Sequence, residues 1–113
     1  MQNKYYDEHY AAMMVQPIEV DQAMMSPEAF HGLLLGNAAK YHIRAGQKQG
    51  ENVDKEYTKR DRYIAWMFHA TRGAIIDPNQ DYDCPLWYKQ DAINRINQKV
   101  NEMQMARKYG EKA

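Results

Sequence analysis

SPEAFHGLLLGNAAKYHIRAG, residues 26–46, is the stretch whose reading decides the fold. Serine is a good helix cap, proline at the next position needs no backbone donor, and the glutamate after it suits the positive end of a helix dipole. Phe30, Leu33, Leu34 and Tyr41 then return every three or four residues, the period of an amphipathic helix. Gly46 is a fitting stop, so a helix from Pro27 to about Ala45 is predicted. At about 100° per residue Asn37 falls in the middle of the apolar stripe, Arg44 at its end and Lys40 beside them.

The flanking segments obey similar rules. PIEVDQAMM (17–25) places proline and an acid in a first turn and predicts a short helix from about Ile18 to Met25. Residues 1–16 show no firm period and are expected to be a partly ordered segment. After the loop GQKQGENV (46–53), Asn52 or Asp54 can cap a third helix that Gly73 ends. Tyr57, Ile64, Met67, Phe68 and Thr71 form its expected apolar stripe. DPNQDYDCP (77–85) reads as a loop, and Leu86 to about Tyr109 as a long helix with a seam of Ile93, Ile96, Val100 and Met103. No segment alternates with a period of two. The expectation is an all-α, compact helical domain of three to five helices with a long C-terminal helix. Residues 17–73 form its helical core, and residues 74–113 a loop plus a helix available for oligomerisation.

Composition narrows the function classes. The 113 residues suffice for one domain, and fifteen basic residues balance fifteen acidic ones. A general nucleic-acid binder needs a basic excess, so any polyanion site must be local. One cysteine, Cys84, builds no intrachain disulfide framework, and no apolar run is long enough for a membrane span. A cytoplasmic protein without a membrane partner is expected. Nine tyrosines and eight methionines suit a binding surface, a small core or a subunit interface, and a homo-oligomer is expected.

The chemistry gathers around Asn37, Lys40 and Arg44, followed by Lys48 in the glycine-flanked loop. An amide on a core-facing stripe needs hydrogen-bond partners, and the cations beside it need an anion. The anion can be internal, from Glu28, Glu56 or Asp61, or it can be a phosphate-bearing ligand. Gly32 and Gly36 each cost the helix roughly 1 kcal/mol relative to alanine, which suggests close approach of a backbone or a flat ligand. No GxxxxGK[ST] or GxGxxG pattern is present. His9, His31, His42 and His69 lack the spacing of helical metal ligands, so no metal site is expected. Asp81 and Asp83 read as solvated loop acids, and Cys84, without an activating cation next to it, reads as an inert thiol. Trp66 and Trp87 read as core or interface anchors.

As one pattern, HY at 9–10, QPIEV at 16–20, SPEAFHGLLLGNAAKYHIRAGQK at 26–48 and KEYTKRDRYIAWM at 55–67 resembles a family of small tailed-phage proteins. They are sometimes called SaV-like and are related to the carboxy-terminal domain of a podovirus nucleotide kinase. The matching positions are His9, Tyr10, Ile18, Glu19, Phe30, Gly32, Gly36, Asn37, Lys40, Tyr41, Arg44, Gly46, Lys48, Glu56, Lys59 and Tyr63. Glu56 stands where the family more often has aspartate, and Arg60 where it has a small residue.

The resemblance implies a nucleotide-kinase-like core over residues 17–73 and a protein working in the host-cell cytoplasm. Its partner would be a nucleotide or another small phosphate ligand, handled as in a (deoxy)nucleoside monophosphate kinase-like phosphotransferase. Lys40, Arg44 and Lys48 would then hold phosphates, Asn37 would orient one, and Glu56 would position a cation or a lysine. Tyr10, Tyr41 or Tyr63 would stack a base, with His9 and Lys59 completing the set. No cofactor is required, and Mg2+ enters only with kinase activity. The alternatives are a non-catalytic protein that sequesters a nucleotide signal of host defence, and a protein that inhibits a host protein through its tail helix.

Overall fold

The computed structural model describes residues 14–45, 47 and 52–110. His9, Tyr10, Gly46, Lys48 and most of the first segment lie outside the described residues. The described chain is all-α, with helices α1 (Pro17–Met24), α2 (Pro27–Arg44), α3 (Val53–Ala70) and α4 (Leu86–Lys108), and it holds no strand.

Local chemistry starts each helix where the sequence predicts. Ser26 accepts the Ala29 amide hydrogen at 3.2 Å, and Pro27 opens α2. Asn52, not Asp54, caps α3 by accepting from the Lys55 amide at 3.2 Å. At α1 the cap is Gln16, whose backbone amide donates to Glu19 Oε2 at 2.7 Å in a capping box. Gly73 sits at φ +94°, a left-handed conformation that glycine tolerates, and it turns the chain after α3.

The central unit is the antiparallel pair α2–α3. Arg44, near the end of one, meets Glu56, near the start of the other, and Tyr41 stacks on Tyr63 further along. Phe30, Leu34 and Ala38 of α2 and Ile64, Trp66 and Met67 of α3 face each other in the core. They are joined by Ile18 of α1, Ile76 of the following segment, and Ala92 and Ile96 of α4. Because α4 runs back along α3, Tyr88 lies against Phe68 and Asn97 reaches His42.

Two expected stripes are only partly buried. In α3 Ile64 and Met67 are buried, while Tyr57 and Thr71 are exposed. Ala65 and Trp66 take their share because the helix is covered by α2 on one side and by α4 on the other. Along the seam of α4 Ile96 is buried and Ile93 and Val100 pack on the core, but Met103 is exposed. The last turns of α4 therefore leave the body with Met103, Met105 and Tyr109 uncovered. Of the two tryptophans, Trp66 is core and Trp87 is exposed.

The loop at 74–79 is held by side chains rather than by regular structure. Gln22 donates to the Ala74 carbonyl at 3.0 Å and accepts from the Ile76 amide at 2.8 Å. The buried Gln16 side chain donates to Asn79 at 3.1 Å, and Tyr82 accepts the Asp77 amide at 3.0 Å. Satisfying buried backbone groups in this way is what allows a loop to lie against a core. No described helix is long and apolar enough to cross a membrane.

Candidate functional site

Helix α2 carries Asn37, Lys40, Tyr41 and Arg44 on its last two turns, and α3 presents Glu56, Lys59 and Tyr63 opposite them. These seven of the ten sequence-selected residues fall in one region; the other three lie outside the described residues. The centre of the group is the Tyr41 ring. Lys40 Nζ is 4.7 Å from its centroid, Lys59 Nζ 5.2 Å and the Arg44 guanidinium carbon 5.6 Å. Tyr63 stacks on Tyr41 with centroids 5.8 Å apart and planes 13° from parallel. The edge of Trp66 then meets Tyr63 at 5.2 Å, which ties this aromatic run to the core.

The charge balance of the group is uneven. Glu56 Oε1 lies 3.8 Å from Arg44 Nη2, an ion pair too long for a hydrogen bond. Its other oxygen, Oε2, is buried without a hydrogen-bond partner among the described residues, and the residue is only 3% exposed. Asp61, the other carboxylate expected here, turns instead to Arg60 at 2.9 Å and Lys89 at 3.6 Å. Among the described residues Lys40 and Lys59 meet no carboxylate. Like charges several ångströms apart repel by about 0.5 kcal/mol with water-like screening and by more where screening is weaker. A cation on an aromatic face recovers about 0.5–1 kcal/mol at an exposed site, enough for the Tyr41 ring to hold the cations near one another.

Asn37 spends its amide on the Leu33 carbonyl of its own helix, at 3.0 Å. This removes the desolvation problem posed by its place on the stripe, and it does so by the local route open to a short polar side chain. Gly32 and Gly36 are exposed, and a methyl group added at either would meet nothing within 4 Å among the described residues. Among the described residues, then, no backbone approaches these glycines closely, and the space beside them, on the face next to Lys40, is open.

Sequence reasoning missed a polar junction just beyond this group. His42 Nε2 lies 2.7 Å from Asn97 Oδ1, and Arg60 Nη1 lies 2.9 Å from His42 Nδ1. Arginine only donates, so the tautomer that satisfies both contacts carries its hydrogen on Nε2. Arg60 also lies over the Tyr57 ring at 4.3 Å. The signal was a single histidine with no metal-like spacing, which points to nothing until α4 brings Asn97 to it.

A cleft of about 470 Å³ opens on another face of α3, lined by Asp61, Trp66, Asn79, Asp81, Cys84 and Lys89 among others. Cys84 lies half-buried there, and burial pushes its thiol above the ordinary range, outweighing the opposing pull of Lys89. Asp81 and Asp83 are exposed, as expected of loop acids. Among the described residues no group of three or more His, Cys, Asp or Glu side chains is placed to hold a metal ion.

Comparison with known proteins places the first half of the chain. The chain is similar to the Gene 1.7 protein of Enterobacteria phage T3, 39% identical over 64 residues that make up 56% of this chain and 39% of that protein. It thus spans well under two thirds of that relative's length. No solved structure matches. A family described as "Protein of unknown function (DUF3310)" matches residues 4–65, a span that contains the whole α2–α3 cation group. Because that match takes in more than half of the 113 residues, the chain belongs to the DUF3310 family.

Proposed function

We propose that this is a phage-encoded nucleotide-binding protein whose α2–α3 face holds the ligand's phosphates. The observation that carries the reading is the gathering of Lys40, Arg44 and Lys59 around one tyrosine ring where, among the described residues, Glu56 is the one carboxylate paired with any of them. In a chain with no net charge such a local excess is a distinct anion site. Lys40 and Lys59 supply mobile point charges, and Arg44, steadied by Glu56, supplies directed donors. Lys48, which follows α2 in the sequence and lies outside the described residues, is proposed to join them.

Two outcomes follow for a bound nucleotide. In the first the protein is a (deoxy)nucleoside monophosphate kinase-like phosphotransferase, in which charge neutralisation and positioning supply the catalysis. Mg2+ would then arrive with the phosphates, held mainly by their oxygens. In the second it sequesters a nucleotide of host defence without turning it over, and the same cations serve. A third reading, inhibition of a host protein, draws on the uncovered Leu86, Trp87, Met105 and Tyr109 of α4.

Calorimetry with mono-, tri- and cyclic nucleotides, followed by a coupled phosphotransfer assay, separates these. Binding with turnover supports the kinase, and binding without it supports sequestration. A silent panel sinks the nucleotide reading and leaves the host-protein one, which a pull-down with the full chain then tests.

A further inference from the structure

Within the nucleotide reading, we infer that the α2–α3 group recognises a chain of two or more phosphoryl groups and leaves the nucleoside outside. Among the described residues the two rings that would stack a base, Tyr41 and Tyr63, are already engaged. Tyr41 carries Tyr63 in a stacked arrangement and three cations around it, and Tyr63 carries the edge of Trp66, itself only 5% exposed. A base could enter only by displacing one of these contacts. Asn37, an amide beside the group, already commits one of its two amide hydrogens to the Leu33 carbonyl and so offers a base edge only part of its hydrogen-bonding set.

The cations, in contrast, are accessible and, among the described residues, short of anions. Lys40 is exposed, Lys59 half-buried, and the Arg44 side chain 46% exposed. The three stand 4.7, 5.2 and 5.6 Å from the Tyr41 centroid, so three positive charges are offered within reach of one aromatic ring. A di- or triphosphate brings more negative charge to these three cations than a monophosphate does. Lysine ammoniums impose little angular preference, so they reward charge number over shape. Glu56 sharpens this: its carboxylate opposes an anion seated on Arg44 alone, and only further contacts with Lys40 and Lys59 offset that repulsion.

The chain of phosphates could belong to a nucleotide or to free inorganic polyphosphate, and one titration series distinguishes them. The full chain is titrated with adenosine, AMP, ADP, ATP, GTP and tripolyphosphate at two salt concentrations. Expected are no adenosine binding, a gain of about tenfold or more from AMP to ATP, and a difference of less than about threefold between ATP and GTP. Tripolyphosphate should displace ATP, and every affinity should fall with salt. AMP binding as tightly as ATP, or tripolyphosphate failing to displace a bound nucleotide, overturns the inference while the nucleotide reading stands. Tripolyphosphate binding where no nucleotide binds supports chain recognition and overturns the nucleotide reading. A wholly silent series overturns both.

Variants locate the effect. Lys40→Gln and Lys59→Gln should each weaken ATP by about threefold to tenfold and flatten the AMP-to-ATP gain, with Lys99→Gln on α4 unchanged. Tyr41→Phe should retain ATP binding and Tyr41→Leu should lose it, because the ring face gathers the cations and the hydroxyl does not. Equal loss from Lys99→Gln would show diffuse charge attraction and sink the assignment.

Discussion

Arg44 Nη2 stands 3.8 Å from Glu56 Oε1 across the connection between α2 and α3, while Glu56 Oε2 is buried with no hydrogen-bond donor among the described residues. The pair is asymmetric: the glutamate is almost fully enclosed, and the arginine is half in solvent. A buried carboxylate held by one distant cation costs more than it returns, so the pair is a poor source of stability.

That asymmetry sets the outcome of substitution. Arg44→Ala strands the buried charge and should destabilise the fold by about 1–3 kcal/mol in urea denaturation. Glu56→Gln should be neutral or stabilising, and Arg44→Ala made on that background should cost much less. Within the proposed nucleotide reading the Glu56 carboxylate would oppose a bound phosphate, so Glu56→Gln should tighten ATP binding. A Glu56→Gln variant that unfolds more readily than Arg44→Ala would refute this account.

The glycines of α2 allow a separate test. Both lie in a helix interior with open space where a methyl group would go. Gly32→Ala and Gly36→Ala should each stabilise by up to about 1 kcal/mol, read from the denaturation midpoint. Gly36, one turn before Lys40, should give up ligand affinity with a larger side chain such as glutamine while helicity is kept. Destabilisation by both alanines would mean that the space beside α2 is filled.

Gln22 bridges the Ala74 carbonyl and the Ile76 amide as a neighbouring strand would. Gln22→Ala should cost about 1–3 kcal/mol by leaving both backbone groups unpaired. Gln22→Glu keeps an acceptor for Ile76 but turns an anion toward the Ala74 carbonyl, so it should not restore wild-type stability. Full stability in either variant would remove the clamp from the account.

Alkaline pH should weaken the fold through Cys84 and Tyr88. Burial raises both groups above their usual 9.0 and 10.0. The unfolded chain then loses these protons first, so stability is complete below about pH 8 and declines as pH rises through the unfolded values. The urea midpoint should fall between about pH 8 and 10, and Cys84→Ala should make that fall shallower. Alkylation of Cys84 at neutral pH should be slower than that of a free thiol. A flat midpoint over this range would contradict the burial argument.

Helix positions, the caps at Ser26 and Asn52, and the row Asn37, Lys40, Arg44 were all legible in the chain. Each depends on neighbours within one or two helical turns, where the period and capping chemistry act directly. Which charges meet was not legible, because that depends on rotamers and on the axial register of α2 against α3. Hence Lys59 joined Lys40 around Tyr41, whereas Asp61 went to Arg60 and Lys89. The tertiary structure also decided that Asn37 bonds its own helix and that His42 is bridged to Arg60 and Asn97. The sequence by itself determined an all-α chain with a cationic helix end. The packing of α3 and α4 on that end decided which cations lie open to a ligand, because partners distant in sequence become neighbours only when the core between them closes.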